Sequence, residues 1–257
     1  MNRYYRVRDH GAAAWAREEG DRLRLLEGDP LLQPRDRGET IAKDQAHVLC
    51  PVHPSKIVCI GRNYRDHAAE RGKPVPKEPL LFLKPPSALV GPGQPIRHPG
   101  WAGRVDHEAE LGLVIGREIA RPATPQEAAA AIFGAVCVND VTARELQDKD
   151  VQFTRAKGFD TFCPVGPCVA TGLDLGALRV QCRVRGETRQ DGNTRDLIFD
   201  PAYLVWFVSR VMTLLPGDII STGTPAGISP LQPGDVVEVD VEGVGVLRNP
   251  VQSQEGT

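Results

Sequence analysis

Apolar and polar positions alternate along much of this chain, and the alternation predicts strands before anything else. Residues 178–185 alternate strictly, with Leu178, Val180, Cys182 and Val184 on one face and Arg179, Gln181, Arg183 and Arg185 on the other. That is the pattern of a strand with one dry and one wet side. Residues 235–241 repeat it, turn at Glu242-Gly243 and return through Val244 to Leu247. Near the N-terminus, residues 12–26 read as a hairpin: Ala13 to Arg17, a turn at Glu18-Glu19-Gly20-Asp21, then Arg22 to Leu26. Residues 56–60 form a short apolar run closed by Gly61, which predicts a buried strand. The polar stretch 33–45 reads as a linker. It divides a small N-terminal β region and linker, residues 1–50, from a main domain, residues 51–257.

Helices are few and carry explicit start signals. Thr124-Pro125-Gln126-Glu127 is a capping box with proline at the first helical position, predicting a helix through the alanines to about Phe133. Thr142-Ala143-Arg144-Glu145 reads as a second capping box. Asp200-Pro201 opens a third helix, whose Leu204, Val205, Val208 and Val211 make a core-facing stripe. Strands with short interspersed helices argue against regular βαβ repeats. The expected class is mainly β (α+β), built on a mixed sheet.

Composition narrows the picture without changing it. A chain of 257 residues can bury a large core as one sizeable domain, alone or with a small appendage. Lys and Arg total 31 against 33 Asp and Glu, a net charge of −2, so no field draws it to nucleic acid or an anionic membrane. No apolar stretch approaches a membrane span, and the N-terminal segment lacks the apolar core of a signal peptide. Six cysteines without CxxC spacing read as reduced, mostly buried thiols. Cytoplasm is the default expectation.

The candidate chemistry starts with Glu108 and Glu110, two residues apart and so on one face of a strand. Two anions that close repel unless a cation lies between them, and Asp140, ending another apolar run, can supply a third oxygen. Oxygen ligands alone favour Mg²⁺ or Mn²⁺ over Zn²⁺. On this reading, losing one of the three anions relieves repulsion in the metal-free protein. A solvated edge strand is the competing explanation. Arg144 and Gln147, three apart just after Asp140, suit the rim of a site for an α-keto acid. A helical turn over residues 66–71 would set His67 against Glu70, a carboxylate–imidazole pair able to activate water. Residues 71–79, charged and rich in Pro and Gly, look like a mobile lid.

Other features carry less. His107 neighbours Glu108 but points to the opposite strand face. Residues 223–227 lack the lysine and length of a phosphate loop. Cys163 and Cys168 flank a Pro-Val-Gly-Pro turn with no paired histidine, so neither reads as a nucleophile. Lys84 reads as a residue near the pocket mouth, or equally as a structural one.

Six segments occur in order: GRNYRDHAAE, LFLKPPSALVGPGQPI, DHEAELGLVIG, VNDVTARELQ, RAKGFDTFCPVGP and ISTGTPAGI. Together they closely resemble the fumarylacetoacetate hydrolase family, specifically its shorter acylpyruvate hydrolase, decarboxylase and 2-hydroxyhepta-2,4-diene-1,7-dioate isomerase members. The resemblance runs from about residue 56 to 247. It implies a mixed β-sandwich roll of the family's C-terminal domain type with a few short helices, usually a homodimer. It also implies a Mg²⁺ or Mn²⁺ triad of Glu108, Glu110 and Asp140, and a catalytic lysine at Lys157. Arg144, Gln147 and Thr224 would bind substrate, and His67 with Glu70 would form the lid dyad. The substrate would be a small 2-oxo acid or dicarboxylate, of the kind met in aromatic catabolism, with no nucleic-acid or membrane partner.

The chemistry expected of such a site is stabilisation of an enolate by the metal. Hydrolysis of the C–C bond of an acylpyruvate is favoured, because a water-activating dyad has no necessary role in the alternatives. Those alternatives are isomerisation or tautomerisation, and decarboxylation of an oxaloacetate-like acid. A non-catalytic metal-binding scaffold would be expected to have lost part of this set, and the chain keeps all of it.

Overall fold

The structure is a computed structural model that describes residues 1–32 and 34–254; Gln33, where the expected linker begins, lies outside the described residues. A twelve-stranded sheet faces a five-stranded one. The large sheet runs in the order Arg35–Ala42, Arg22–Glu27, Ala12–Glu19, Asn2–Asp9, Cys163–Thr171, Ile132–Asn139, Ala109–Ile115, Ile219–Ser221, Ile57–Gly61 and Leu80–Lys84. Two short strands, Val48–Leu49 on Asn2–Asp9 and Leu89–Val90 on Cys163–Thr171, join it off this path. Most neighbours are antiparallel, but Ile219–Ser221 runs parallel to Ile57–Gly61. The small sheet is ordered Glu187–Asn193, Arg179–Val184, Val236–Val241, Gly245–Ser253 and Ile96–His98, the last two parallel. This is the strand-dominated, mixed-sheet class that the alternating pattern predicts.

Strand Ala109–Ile115 lies inside the large sheet and is buried along its whole length. Its Ala109, Leu111, Leu113 and Ile115 share a core with Val180, Cys182, Val239 and Leu247 of the small sheet. Val114 belongs to the other face, with Ile57, Cys59, Val136, Val138 and Ile219. Gly112 also faces that way. A Cβ there would lie 2.5 Å from Val138 Cγ2 and 2.7 Å from Val136 Cγ2, so a side chain would push its antiparallel neighbours aside. Glu110 precedes it on the same face, so the pleat that builds the core also delivers a carboxylate to the end of a dry layer.

Five short helices punctuate the strands: α1 (Arg65–Glu70), α2 (Pro125–Ala129), α3 (Arg144–Lys149), α4 (Thr154–Lys157) and α5 (Pro201–Val211), counted among the described residues. None is long and apolar enough to cross a membrane. Two caps form as expected: Thr124 accepts from Glu127 N, and Asp200 from Tyr203 N.

Elsewhere tertiary pairing overrides the local signal. Residues 35–42 are not linker but strand Arg35–Ala42, which covers the edge of Arg22–Glu27 and extends the hairpin to a meander. Helix α2 stops at Ala129, short of Phe133, because Ile132–Asn139 is drawn into the sheet between two long partners. Thr142 does not cap α3; its backbone pairs with Asp106, and α3 starts after Ala143 with no side-chain cap. Val211, at the last position of α5, is 63 % exposed and leaves the core stripe to Leu204, Val205 and Val208. Cys163 and Cys168 lie on one continuous strand, Cys163–Thr171, instead of flanking a turn.

Candidate active site

Strand register assembles the acidic cluster. Ala109 pairs with Asn139 across antiparallel strands, and the Asn139 side chain accepts from Glu108 N at 3.0 Å. Asp140 N donates to Glu108 O at 2.8 Å, so the first residue beyond one strand lands beside the residue before the other. Oxygens of Glu108, Glu110 and Asp140 come within 4.8 Å of one another, and all three side chains are buried. Solvated edge glutamates are thereby excluded.

Cations surround two of the three. Lys157, at the end of α4, donates to Glu108 Oε2 at 2.9 Å, to Asp140 Oδ2 at 2.5 Å and to Thr142 Oγ1 at 2.8 Å. Arg144, the first residue of α3, reaches Glu108 Oε1 with Nη2 at 2.5 Å and Gln147 Oε1 with Nη1 at 2.9 Å. The i,i+3 relation expected of Arg144 and Gln147 is present. Lys84 is not at the pocket mouth. It is fully buried behind the cluster, donating to Asp140 Oδ1 at 2.6 Å and Val141 O at 3.0 Å.

Glu110 is different. Ser221 Oγ and Gly223 N donate to its Oε2 at 2.5 and 2.8 Å, and among the described residues no cation pairs with it. Burial, Asp140 and Glu108 together push its pKa well above the usual carboxylate range. At Glu108 burial acts the same way, but Arg144 and Lys157 outweigh it and hold the carboxyl well below that range. Burial would lower Lys157, yet Asp140 and Glu108 raise it, so the ammonium persists. Glu110 is thus the one carboxylate of the three with no cation beside it among the described residues. Three buried carboxylates with no nitrogen or sulfur donor among them fit a hard divalent cation such as Mg²⁺ or Mn²⁺.

The carboxylates open into a cavity of about 380 Å³, also lined by Arg62, His67, Gln147, Phe153, Lys157 and Thr224. His67 is buried on α1, and its Nδ1 lies 3.1 Å from Glu70 Oε2. Glu70 Oε1 accepts from Gly227 N at 3.0 Å, which ties the pair to the loop carrying Thr224. Since a carboxylate accepts at Nδ1, the Nε2 lone pair is the one left free to take a proton. Thr224 Oγ1 donates to Ala109 O at 2.9 Å and accepts from Gln190 Nε2 at 2.7 Å.

Three buried side chains that the sequence did not single out hold this arrangement. Asp106 accepts from Arg144 Nε at 2.8 Å and from Nε and Nη2 of Arg104, at 2.7 and 3.0 Å. Gln190 brackets Ala109 N and Thr224 Oγ1, and its Oε1 lies 3.0 Å from His107 Nδ1. Asn63 pins the start of α1 through Thr222 and Phe199. His107 lies off the cavity, held by Gln190 and Ser229. The cysteines are free thiols, and burial raises Cys163 and Cys168 to about 12, which leaves them unreactive.

A mixed β-sandwich with a buried E-x-E…D cluster facing an H-x-x-E pair defines a class of enzymes acting on small molecules. Residues 56–252 match the description "Fumarylacetoacetate (FAA) hydrolase C-terminal", and residues 2–51 match "Rv2993c-like, N-terminal". The chain belongs to the fumarylacetoacetate hydrolase family. It is similar to the solved 2-hydroxyhepta-2,4-diene-1,7-dioate isomerase of Mycobacterium marinum, with TM-score 0.92 and 39 % identity over 100 % of both chains. It is also similar to the maleylpyruvate hydrolase of Sphingobium sp. SYK-6 in complex with manganese(II) and pyruvate, with TM-score 0.81, 30 % identity, and 99 % and 100 % of the two chains covered. The mitochondrial oxaloacetate tautomerase fahd2 of Xenopus laevis is 39 % identical over 224 residues, 82 % of this chain and 70 % of that one.

Proposed function

We propose that this enzyme hydrolyses the C–C bond of an acylpyruvate, with Glu108, Glu110 and Asp140 holding Mg²⁺ or Mn²⁺. The observation that carries the reading is His67, paired with Glu70 and lining the same cavity as the acidic cluster. The cation, when bound, supplies Lewis acidity toward the carboxylate and 2-oxo oxygens of the substrate. Arg144 and Gln147 orient the carboxylate end, and Lys157 balances charge as it builds on the 2-oxo oxygen. His67 Nε2 takes a proton from water, and the resulting hydroxide adds to the acyl carbonyl. The bond between that carbon and C3 breaks, its electron pair moving into pyruvate enolate while the acyl group leaves as a carboxylate. Glu70 holds the imidazolium that forms. A proton taken up from water at C3 completes pyruvate, and the imidazolium returns its own proton to solvent.

A second reading has support in the similarity to an isomerase and to an oxaloacetate tautomerase. There the same enolate is reprotonated at another carbon, or in a decarboxylase variant forms by loss of CO₂. A panel of acetylpyruvate, fumarylpyruvate, oxaloacetate and hydroxyheptadienedioate, assayed with Mg²⁺ and Mn²⁺, separates them. Cleavage of an acylpyruvate to pyruvate and a free acid is the expected result. Tautomerase or isomerase turnover with no cleavage across the panel would overturn the hydrolase reading.

A further inference from the structure

Arg62 lines the cavity in a backbone conformation that few side-chain-bearing residues adopt, with φ at 56°. Left-handed backbone is costly for any residue with a Cβ and persists only where the surroundings impose it. Its neighbour imposes it. Asn63 is fully buried; its Nδ2 donates to Thr222 O at 2.8 Å and Phe199 O at 3.0 Å, and its Oδ1 accepts from Phe199 N at 2.8 Å. Gly223 approaches so closely that a Cβ there would lie 2.7 Å from Asn63 Cβ. The same Gly223 donates its N–H to Glu110. One clamp therefore fixes Arg62 in register with the acidic cluster.

Charge is left over where Arg62 stands. Of the other charged groups lining this rim, Arg71 pairs with Asp148 at 2.9 Å and Asp150 with Arg155 at 2.6 Å. Among the described residues no carboxylate lies within ion-pair distance of Arg62, the acidic cluster included. Its side chain reaches only Pro74 O, at 3.5 Å, too long to satisfy a guanidinium. Exposed Lys73 adds a second cation to the same lining. A half-buried, unpaired guanidinium held in place by a strained backbone suits a planar, bidentate anion.

We propose that Arg62 binds a second carboxylate of the substrate, one not held at the acidic cluster, with Asn63 as its positioning residue. The favoured substrate is then an acylpyruvate whose acyl chain ends in a carboxylate, which rests on the hydrolase reading above. Selection lies in the unpaired guanidinium: a methyl-ended chain of equal length leaves it without a partner, and desolvating it then costs affinity.

The test compares carboxylate-ended and methyl-ended acylpyruvates of equal length, alongside binding of 2-oxoadipate and 2-oxohexanoate to the Mg²⁺-loaded protein by calorimetry. Wild type should favour the carboxylate-ended member of each pair by about 10–100-fold, the worth of a charge-assisted hydrogen bond. In Arg62→Ala and Arg62→Gly that ratio should collapse toward one. Arg62→Gly relieves the left-handed strain, so its thermal midpoint should equal or exceed that of wild type, which separates lost selectivity from lost folding. If acylpyruvates are not cleaved but the diacid binding preference disappears in both variants, the hydrolase reading fails and the Arg62 subsite stands. A wild type with no preference, or a preference surviving in Arg62→Ala, overturns the subsite whether or not cleavage occurs.

Discussion

Asp106 Oδ2 accepts from Arg144 Nε at 2.8 Å, fixing the guanidinium that also reaches Glu108 and Gln147. Arg104 clasps Asp106 from the other side, so cation and anion alternate from exposed Arg104 inward to buried Lys84. Asp106→Asn keeps the shape but removes the charge that holds Arg144. The kcat/KM for a 2-oxo acid should fall about 10–100-fold, the worth of a hydrogen bond between charged groups. Steady-state kinetics under saturating Mn²⁺ check this, and an unchanged kcat/KM would relegate Asp106 to folding alone.

Crowding of three anions suggests that removing any one relieves repulsion, but the ion pairs split the cluster. Glu108→Ala strips Arg144 and Lys157 of a buried acceptor and should destabilise the metal-free protein by about 3–5 kcal/mol. Glu110→Gln removes the one member with no cation and keeps an oxygen for Ser221 and Gly223, so its unfolding midpoint in chelator should match or exceed wild type. Both variants should lose Mn²⁺ binding. Urea unfolding in chelator and Mn²⁺ titration separate the two effects; equal destabilisation would contradict the split.

Asp218 ties the parallel pair Ile57–Gly61 and Ile219–Ser221 to the segment before it. Its Oδ1 accepts from Ser55 N, Ser55 Oγ and Lys56 N, and its Oδ2 from Leu215 N and Lys56 Nζ. Burial would raise this carboxyl, but Lys56 and the other donors outweigh it and lower the pKa. A depressed folded-state pKa contributes stability above the unfolded value of about 3.9, lost as pH falls through the folded value. Asp218→Asn should therefore cost roughly 1–3 kcal/mol at pH 7, with the gap to wild type narrowing below about pH 4. Urea midpoints at pH 7 and pH 3 decide it, and a gap that widens in acid would reverse the sign.

Legibility followed range. Glu108 and Glu110 were readable because a period of two is local, and the same period placed Leu178 to Val184 correctly in the core. Asp106 and Gln190 were not, because their partners lie 38 and 34 positions away and neither sits in an amphipathic pattern. Lys84 ends an apolar strand, where a lysine ordinarily extends its ammonium to water; only the Asp140 carboxylate, 56 positions on, makes its burial tolerable. Thr142 shows the converse failure. Its cap pattern is sound locally, yet its backbone pairs with Asp106, and its hydroxyl donates to Asp140 O and accepts from Lys157.

His67 separates hydrolysis from its nearest rival. Cleavage of an acylpyruvate needs an activated water, whereas ketonisation or decarboxylation needs a stabilised enolate and a proton. In His67→Ala the acidic cluster, Lys157 and Arg144 keep every contact described above, because His67 is bonded to Glu70 rather than to them. Acylpyruvate cleavage should therefore drop about 10²–10⁴-fold, the usual worth of a general base. Oxaloacetate tautomerisation or decarboxylation, measured on the same preparation, should fall much less. Glu70→Gln should produce a smaller version of the same split, since the imidazole remains but loses the carboxylate that orients it and stabilises its charged form. Parallel loss of both activities in His67→Ala would mean that the imidazole serves the enolate, and that water activation lies elsewhere.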